Sequence, residues 1–571
     1  MAGNLRSPDR VLLPHTEPSA IPVAIVGGGP VGLILALFLD RYGVRCVLFN
    51  TDDGSRQHPK GSTQNARTLE HFRRLGISEQ VRKLGLPADH PTDVAYFTRF
   101  NAWELARVRM PSESQKMRAV AAACATDQVP EPLLRANQMY VEAFLLEYAR
   151  TRPNIVLRFG WQVDRLEADA NEVTLQAEAV TGGRRECWRA QYLVGCDGAR
   201  SFVRRTLGAA YQGFDALQQA YMGGRMIASH IRAPTLRACF GERRGWQYWS
   251  INPERQMMLG SLNGNDEFLV FAQQAEPHHV PDDSMIAKMI IRAAEAELPV
   301  QILGHRPWTA GVALVSERFG RGRVLLAGDA VHLFTPTGGF GMNTGVDDAA
   351  NLSWKLAAMI QGWGRLHLID SYEVERKPVA VRNTIAAREL AKRIASIPIS
   401  PVMEEASADG QAARDKAGAH LATFGEAFAS IGVQLGARYD GSPIIAGDGP
   451  PPADDFIRYA PSGVPGGRAP HAWLDAGRGR GSSLYDRLGA GFTLLRLGGK
   501  AADAAALEDA ARASGIPLTV LDIADDATRE LYGRDLVLVR PDQHVAWRGN
   551  RAPDDPRGLW GKLVGARALP A

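Results

Sequence analysis

Cysteine is scarce. The chain of 571 residues has five, Cys46, Cys124, Cys187, Cys196 and Cys239, and none beyond residue 239. So few thiols cannot build a disulfide framework, and a reducing, cytoplasmic setting is the expectation. A charge excess is lacking too. Lys+Arg is 66 and Asp+Glu is 62, leaving a formal net charge of +4. That balance supplies no basic surface for nucleic acid. Long apolar runs are rare. The charge-free stretch Ile21 to Leu39 has the length of a membrane span, roughly 20 residues. Gly27, Gly28, Gly29, Pro30 and Gly32 interrupt it. A strand, a tight turn and a buried helix read in succession give the same hydropathy, so no membrane contact is expected. Residues 1–20 mix Arg, Asp, Glu and Pro and lack the apolar core of a signal peptide, which predicts a flexible extension.

Glycine, by contrast, is abundant: 58 residues, roughly 10% where about 7% is usual. Hydrophobic residues make up 45% and charged residues 22%, the composition of a folded globular chain. At roughly 150 residues per domain, the length predicts three or four domains.

The pattern is α/β. Val23 to Val26 reads as a strand, Gly27 to Gly32 as a turn, Leu33 to Tyr42 as a helix and Arg45 to Phe49 as a second strand. Helices are expected over Thr68–Gly76 and Tyr140–Arg150, and strands over Val173–Ala177 and Gln191–Cys196. From about 205 to 315, alternating segments such as Gln247–Ile251 and Gln256–Leu262 predict an antiparallel sheet. A buried strand at Val324–Leu326 precedes helices over Asp347–Ile360 and Leu368–Ala395. Asp440 to Asp455 has linker composition. Beyond it a strand, a helix, a strand and a pair of strands around Pro541-Asp542 follow.

Three motifs carry chemistry. Gly27-x-Gly29-x-x-Gly32 sits between a strand and a helix, the context a dinucleotide fingerprint needs. The acidic residue that usually ends the next strand is missing. Asn50 stands there, able to hydrogen-bond a ribose without charge assistance, with Asp52 and Asp53 nearby. The second motif is Val194-Gly195-Cys196-Asp197-Gly198-Ala199-Arg200-Ser201, which alone could be a surface turn. The third runs from Gly328 and Asp329 to Gly345. It places an aspartate at a strand end and several glycines at a helix start. Bare N–H donors at the positive end of a helix suit a ring system that becomes anionic on reduction.

Together GGGPVG, VGCDGARSFVRR and GDAVHLFTPTGGFGMNTGVDDAANLSWKL resemble the three FAD signatures of the single-component flavoprotein aromatic hydroxylases, the phenol hydroxylase and p-hydroxybenzoate hydroxylase group. APHAWL and LVLVRPDQHVAWRG resemble the thioredoxin-like extension of the phenol hydroxylase branch. The resemblance implies a Rossmann-like FAD-binding domain over 21–204 and 316–400. An inserted, mainly antiparallel β-sheet substrate domain would occupy 205–315, a helical connector and linker 401–455, and a thioredoxin-like domain 456–571. It implies an FAD-dependent monooxygenase that uses NADPH or NADH and O2 to hydroxylate a small aromatic substrate through a flavin C4a-hydroperoxide.

By motif position, Gly27, Gly29 and Gly32 would hold the pyrophosphate, Asn50 and Gln138 would contact FAD, and Asp197 and Gly198 would serve FAD and NAD(P)H. Gly328 and Asp329 would bind the ribityl chain. Pro336, Gly338, Gly339, Gly341, Met342 and Asn343 would line the isoalloxazine ring, with Phe340 in place of a more usual polar residue. No metal ligand stands out. Strand alternation puts Trp246, Tyr248, Ser250 and Asn252 on one face. Tyr248 is the candidate substrate contact and Pro336 a candidate facing flavin and substrate. Arg225 and His332 are weaker candidates, and sheet packing is the commoner use of such a tyrosine. No carboxylate-binding cluster stands out, which favours a phenol over an aromatic acid. Without cysteine the C-terminal unit cannot do dithiol chemistry, so a structural or dimer-forming role is expected. Two other readings stay open, another flavoenzyme of the same fold (a halogenase or an oxidase) and a non-enzymatic flavin-binding protein. Trp246-x-x-Trp249 only superficially resembles a halogenase Trp-x-Trp signature.

Overall fold

The computed structural model describes residues 19–54, 58–214, 224–274, 280–310, 312–425, 428, 430–498 and 503–566. Most of the predicted N-terminal extension and the side chain of Arg225 lie outside the described residues.

The first strand, Ser19–Val26, lies between Arg185–Gly195 and Cys46–Asn50, parallel to both. Ile155–Phe159 extends the sheet on one side and Val324–Leu326 on the other, both in parallel. Val23, Ala24 and Ile25 are fully buried, as expected of a parallel strand covered on both faces. The register matters more than the strand count. Val26 is opposite Gly195, Gly195 opposite Leu326, and Val26 opposite Phe49. The three motifs therefore leave the sheet at the same level on its carboxyl edge, where open α/β sheets bind ligands. Pro30 opens the first helix, Pro30–Arg41, at the position where its missing N–H costs nothing.

The second sheet has seven strands and includes Gln247–Ile251, Gln256–Ser261 and Glu267–Gln273 in antiparallel order. It corrects the expected boundary. Val94–Phe97 joins it in parallel beside Gln247–Ile251, and Glu104–Val108 pairs with Val94–Phe97. Segment 205–315 is thus not a self-contained insertion, because its sheet would otherwise end on an open, apolar edge at Gln247–Ile251. One face packs on the helix Asp283–Ala294, through Ile286 and Ile290. The other carries Tyr96, Met226, Trp246, Trp249 and Met258, under Ile394, Ile397 and Phe424.

The C-terminal unit is a four-stranded sheet in the order Leu518–Ile523, Phe492–Leu497, Leu536–Val539, Val545–Gly549. The first two strands are parallel and the rest antiparallel, the thioredoxin-like arrangement expected. Phe492 meets Trp354 of the long helix Phe340–Gln361 edge-on, ring centroids 6.0 Å apart. The C-terminal core is therefore continuous with that of the first sheet. Among the described residues no helix is long and apolar enough to cross a membrane. The Ile21–Leu39 run is a strand, a turn and most of a helix.

Candidate active site

Gly27 has φ +110°, and a Cβ there would lie 2.2 Å from the carbonyl oxygen of Cys196. Only glycine serves at this turn. A Cβ on Gly32 would lie 2.0 Å from the Gly27 carbonyl oxygen, so helix and turn touch backbone to backbone. Gly29 is the N-cap of Pro30–Arg41 and makes no side-chain cap. This end of the helix keeps bare N–H groups for a pyrophosphate.

Asn50 builds the turn itself. Its Oδ1 accepts from Gly28 N at 2.9 Å and its Nδ2 donates to the Asp52 carbonyl at 3.0 Å. One N–H and one lone pair are left for a ribose hydroxyl. Gln138 opens the helix Gln138–Arg150, and its Nε2 donates to Glu142 at 2.5 Å. Its neighbour Asn137, unnoticed in the sequence, donates to the Lys60 carbonyl and to Ser62, holding the loop ahead of Thr63.

Asp197 is mostly buried, and burial raises its carboxyl above the usual range. Its Oδ2 accepts from Val203 N, while Oδ1 is buried with no partner among the described residues. Gly198 follows with open space around its α-carbon. Arg204 stacks on Tyr211 at 3.8 Å, and Tyr211 donates its hydroxyl to the Asp329 carbonyl at 2.5 Å. The second motif is thereby tied to the third. The Asp329 side chain stays exposed at the sheet edge, while Gly328 N donates to the buried Asp348. His332 is corrected as a substrate candidate. It is fully buried and paired with Asp348 at 2.7 Å. Burial pushes the Asp348 carboxyl up, but His332 and Arg376 outweigh it and hold it below the usual range.

Gly338 and Gly339 have φ +81° and +67° and turn the chain from Pro336 into the helix that begins at Phe340. A Cβ on Gly339 would lie 3.0 Å from Thr63 Cβ. No sequence signal marks Thr63 or Asn65, yet both meet this loop. Asn343 is buried: Oδ1 accepts from Asn65 N and Thr68 Oγ1, and Nδ2 donates to the carbonyls of Thr63 and Gly339. The Asn343 side chain is thus spent on the loop, and what this stretch can offer a flavin ring is the expected helix-start amides. Backbone N–H groups of the first turn, at Gly341 and Met342, remain to face a ring. Phe340 is buried, its ring set against Gly338 and packed on Ala386, Ala387 and Val433.

Tyr248 is corrected as a substrate contact. It is 3% exposed and stacks on Phe240 with centroids 3.7 Å apart. Its hydroxyl accepts from Gly245 N at 2.7 Å, and burial pushes that hydroxyl up to about 12. Trp246 is not on its face. The N–H groups of Trp246 and Gln247 both go to the Asp93 carbonyl. That local bulge breaks the alternation and sends Trp246 to the face of Trp249 and Met258. Trp246 there lies under the guanidinium of Arg135, 3.7 Å from the ring centroid, and Arg135 donates to Thr63 Oγ1. The aromatic face and the glycine loop are therefore joined through Gly339, Thr63, Arg135 and Trp246.

These features fit an FAD. Two positions exclude any Cβ, Asp197 keeps an unpartnered buried oxygen, and two helix starts at one sheet edge present bare N–H groups.

Residues 20–387 match the family described as FAD binding domain, and residues 462–565 the family described as Aromatic-ring hydroxylase, C-terminal. The chain is 30% identical to the FAD-dependent monooxygenase apdD of Emericella nidulans, covering 92% of this chain and 87% of the relative. It is 32% identical to Aklavinone 12-hydroxylase RdmE of Streptomyces purpurascens, covering 94% and 96%. The solved structure of the rebeccamycin biosynthetic enzyme RebC with reduced flavin superposes with a TM-score of 0.86 at 32% identity, covering 96% of this chain and 100% of that one.

Proposed function

This chain belongs to the FAD-dependent aromatic-ring hydroxylases, and on that premise we propose that it hydroxylates a phenolic ring held between the Pro336–Asn343 loop and the aromatic face of the seven-stranded sheet. It is an FAD-dependent monooxygenase. The electron donor is NADPH or NADH as a transient co-substrate, and the oxygen comes from O2. One well-placed Gly-x-Gly-x-x-Gly supports a nicotinamide that visits rather than resides.

The observation that carries this reading is the contact chain from Gly339 through Thr63 and Arg135 to Trp246. It sets an apolar, aromatic surface against the loop expected to cradle the ring. When bound, FAD supplies the redox and oxygen-transfer chemistry that side chains lack. The residues of the chain bind, orient and exclude water. Gly27, Gly29 and Gly32 would take the pyrophosphate, with Asn50 and Gln138 toward the adenosine. Asp197, Gly198, Gly328 and Asp329 would hold the sugar-like chain. N–H groups at the start of Phe340–Gln361 would stabilise negative charge on the ring's pyrimidine edge. Trp249, Met258, Phe271 and Trp308 would form a dry wall for the substrate, which limits wasteful peroxide release.

We read 21–204 and 316–400 as the flavin-binding domain, with strands Val94–Phe97 and Glu104–Val108 lent to the substrate sheet. The cysteine-free C-terminal unit is read as structural or dimer-forming, and five unpaired cysteines suit a cytoplasmic location.

The test is direct. The purified protein should be yellow, and NAD(P)H oxidation should accelerate with a phenol from a panel. The product should be heavier by one oxygen, labelled from 18O2. Oxidation that releases only peroxide with every phenol would favour the oxidase reading, and protein that cannot be loaded with FAD would overturn the proposal.

A further inference from the structure

Arg135 is a buried cation without an anion. It lies on the short strand Leu134–Arg135 and is 5% exposed. Its Nη atoms donate to the Thr63 hydroxyl and, at 3.7 Å, to the Met110 sulfur, both neutral. Its flat face rests on the Trp246 ring. Among the described residues no carboxylate pairs with it, and burial alone pushes the guanidinium down to about 9. The titratable group that feels it, Lys116, is another cation, paired with Glu113. Four other buried arginines meet carboxylates, while Arg204 and Arg414 spend their Nη1 groups on backbone carbonyls, which Arg135 does not. Arg67 and Arg468 pair with Glu70, Arg376 with Asp347 and Asp348, and Arg540 with Glu375 and Asp542.

A second observation points the same way. Among the described residues Arg135 Nε and Trp246 Nε1 are both buried donors with no acceptor. They belong to one stacked pair. Buried N–H groups are nearly always satisfied, and a buried charge without partner is costly unless something compensates it. Two unsatisfied donors side by side, one of them charged, describe a subsite for an oxygen anion. Its position selects the source. Trp246 belongs to the aromatic face of the sheet, and Thr63 touches the glycine loop.

We propose that Arg135 and Trp246 form the subsite for the ionised hydroxyl oxygen of the aromatic substrate, with Arg135 as a specificity-determining residue. The inference rests on the hydroxylase reading above. The phenol yields its proton to solvent as it binds, and the oxygen anion accepts from Arg135 Nε–H and the Trp246 indole N–H. Holding the anion leaves the ring electron-rich, which is what an aromatic hydroxylation needs. Residues expected to touch FAD are not involved, so flavin loading and substrate ionisation can be read separately.

The test uses FAD-loaded full-length protein, with 4-nitrophenol and 4-nitroanisole as probes. The first ionises with a visible colour change and the second has no ionisable group. At a pH just below the solution pKa of 4-nitrophenol, binding to the wild type should produce the phenolate band. An adjacent cation shifts an acid by roughly 1–3 units, so Arg135→Gln should bind 4-nitrophenol roughly 10-fold or more weakly, without the band. Its FAD content and its affinity for 4-nitroanisole should not change. Arg135→Lys should restore part of the band. Trp246→Phe should weaken phenolate binding by a smaller factor. The proposal is overturned if the wild type gives no phenolate band, or if Arg135→Gln keeps band and affinity. It is also overturned if 4-nitroanisole binding falls in parallel, because Arg135 would then only shape the wall. If Arg135→Gln does not fold, Arg135→Lys and Trp246→Phe decide, and wild-type behaviour in both overturns it. Failure of the wild type to hold FAD would be failure of the hydroxylase reading instead.

Discussion

Asn343 Oδ1 accepts a hydrogen bond from the backbone N–H of Asn65 at 3.0 Å, across 278 positions of sequence. The same oxygen takes the Thr68 hydroxyl at 2.7 Å. One side chain thus binds the start of helix Ala66–Arg74 to the start of helix Phe340–Gln361. Asn343→Ala leaves both donors buried and unpaired, at about 1–3 kcal/mol each. The expected result is a lower thermal midpoint, together with FAD loss during desalting that exceeds the loss in a surface control.

Asp329 acts differently. Its side chain is exposed at the sheet edge, so Asp329→Ala should leave the melting temperature of the FAD-free protein unchanged. A hydrogen bond involving a charged group is worth about 1.5–3 kcal/mol. FAD should therefore bind roughly 10- to 100-fold more weakly, as read by fluorescence titration. Unchanged flavin affinity would count against the assigned role.

Tyr248→Phe separates packing from recognition. The variant leaves Gly245 N without its acceptor and should cost about 1–3 kcal/mol in urea unfolding. KM for an accepted phenol should stay at the wild-type value. A large change in KM with unchanged stability would restore the tyrosine as a substrate contact.

The C-terminal unit is anchored by charge. Arg540 donates to Glu375 at 2.6 and 2.8 Å, and Glu375 also holds Lys355 at 2.7 Å, all fully buried. Breaking such a pair from one side costs roughly 3–5 kcal/mol. Arg540→Met should destabilise by that order, and Arg540→Met with Glu375→Gln by less than the sum of the single changes. A double-mutant cycle in calorimetry measures the difference.

Stability should fall early on acidification. Burial, then nearby Arg67, holds the His71 imidazole down to about 3, and burial does the same for His471. Each folded value lies below the unfolded one, roughly 6.5. Above that value both states are neutral and the full stability is present. As pH falls toward 3 the unfolded chain takes up protons first, and each histidine removes about 1.4 kcal/mol per pH unit. Glu375, held down to about 2 by Arg540 and Lys355 against burial, adds its loss below its unfolded range near 4.3. His471→Gln should flatten the slope between pH 6 and 4 in equilibrium unfolding. An unchanged slope would argue that the imidazole ionises normally.

The three cofactor motifs were legible because each rests on local chemistry. Glycine spacing, a strand before and a helix after are readable locally, the parallel sheet follows from the same periodicity, and the thioredoxin-like order was implied by the resemblance of APHAWL and LVLVRPDQHVAWRG. The substrate face was not legible. A bulge at Trp246–Gln247, made by two N–H groups sharing the Asp93 carbonyl, reversed the face of one tryptophan. A tyrosine chosen by alternation turned out to be packed against Phe240. The bracing task of the Asn343 side chain was not legible either, because its partners Asn65 and Thr68 are far away in sequence.

The sequence by itself determined where the chain must turn, which edge of the sheet would carry a cofactor, and that the C-terminal unit could do no dithiol chemistry. Those conclusions depend on backbone freedom, on periodicity and on the presence or absence of a functional group. Only the tertiary structure decided which side chains face one another. It recruited Val94–Phe97 to the substrate sheet, occupied the amide of Asn343, and left Arg135 buried against Trp246 with no anion beside it. The reason is physical. Desolvation and hydrogen-bond satisfaction are set by groups brought together from distant parts of the chain, and no local pattern encodes that proximity.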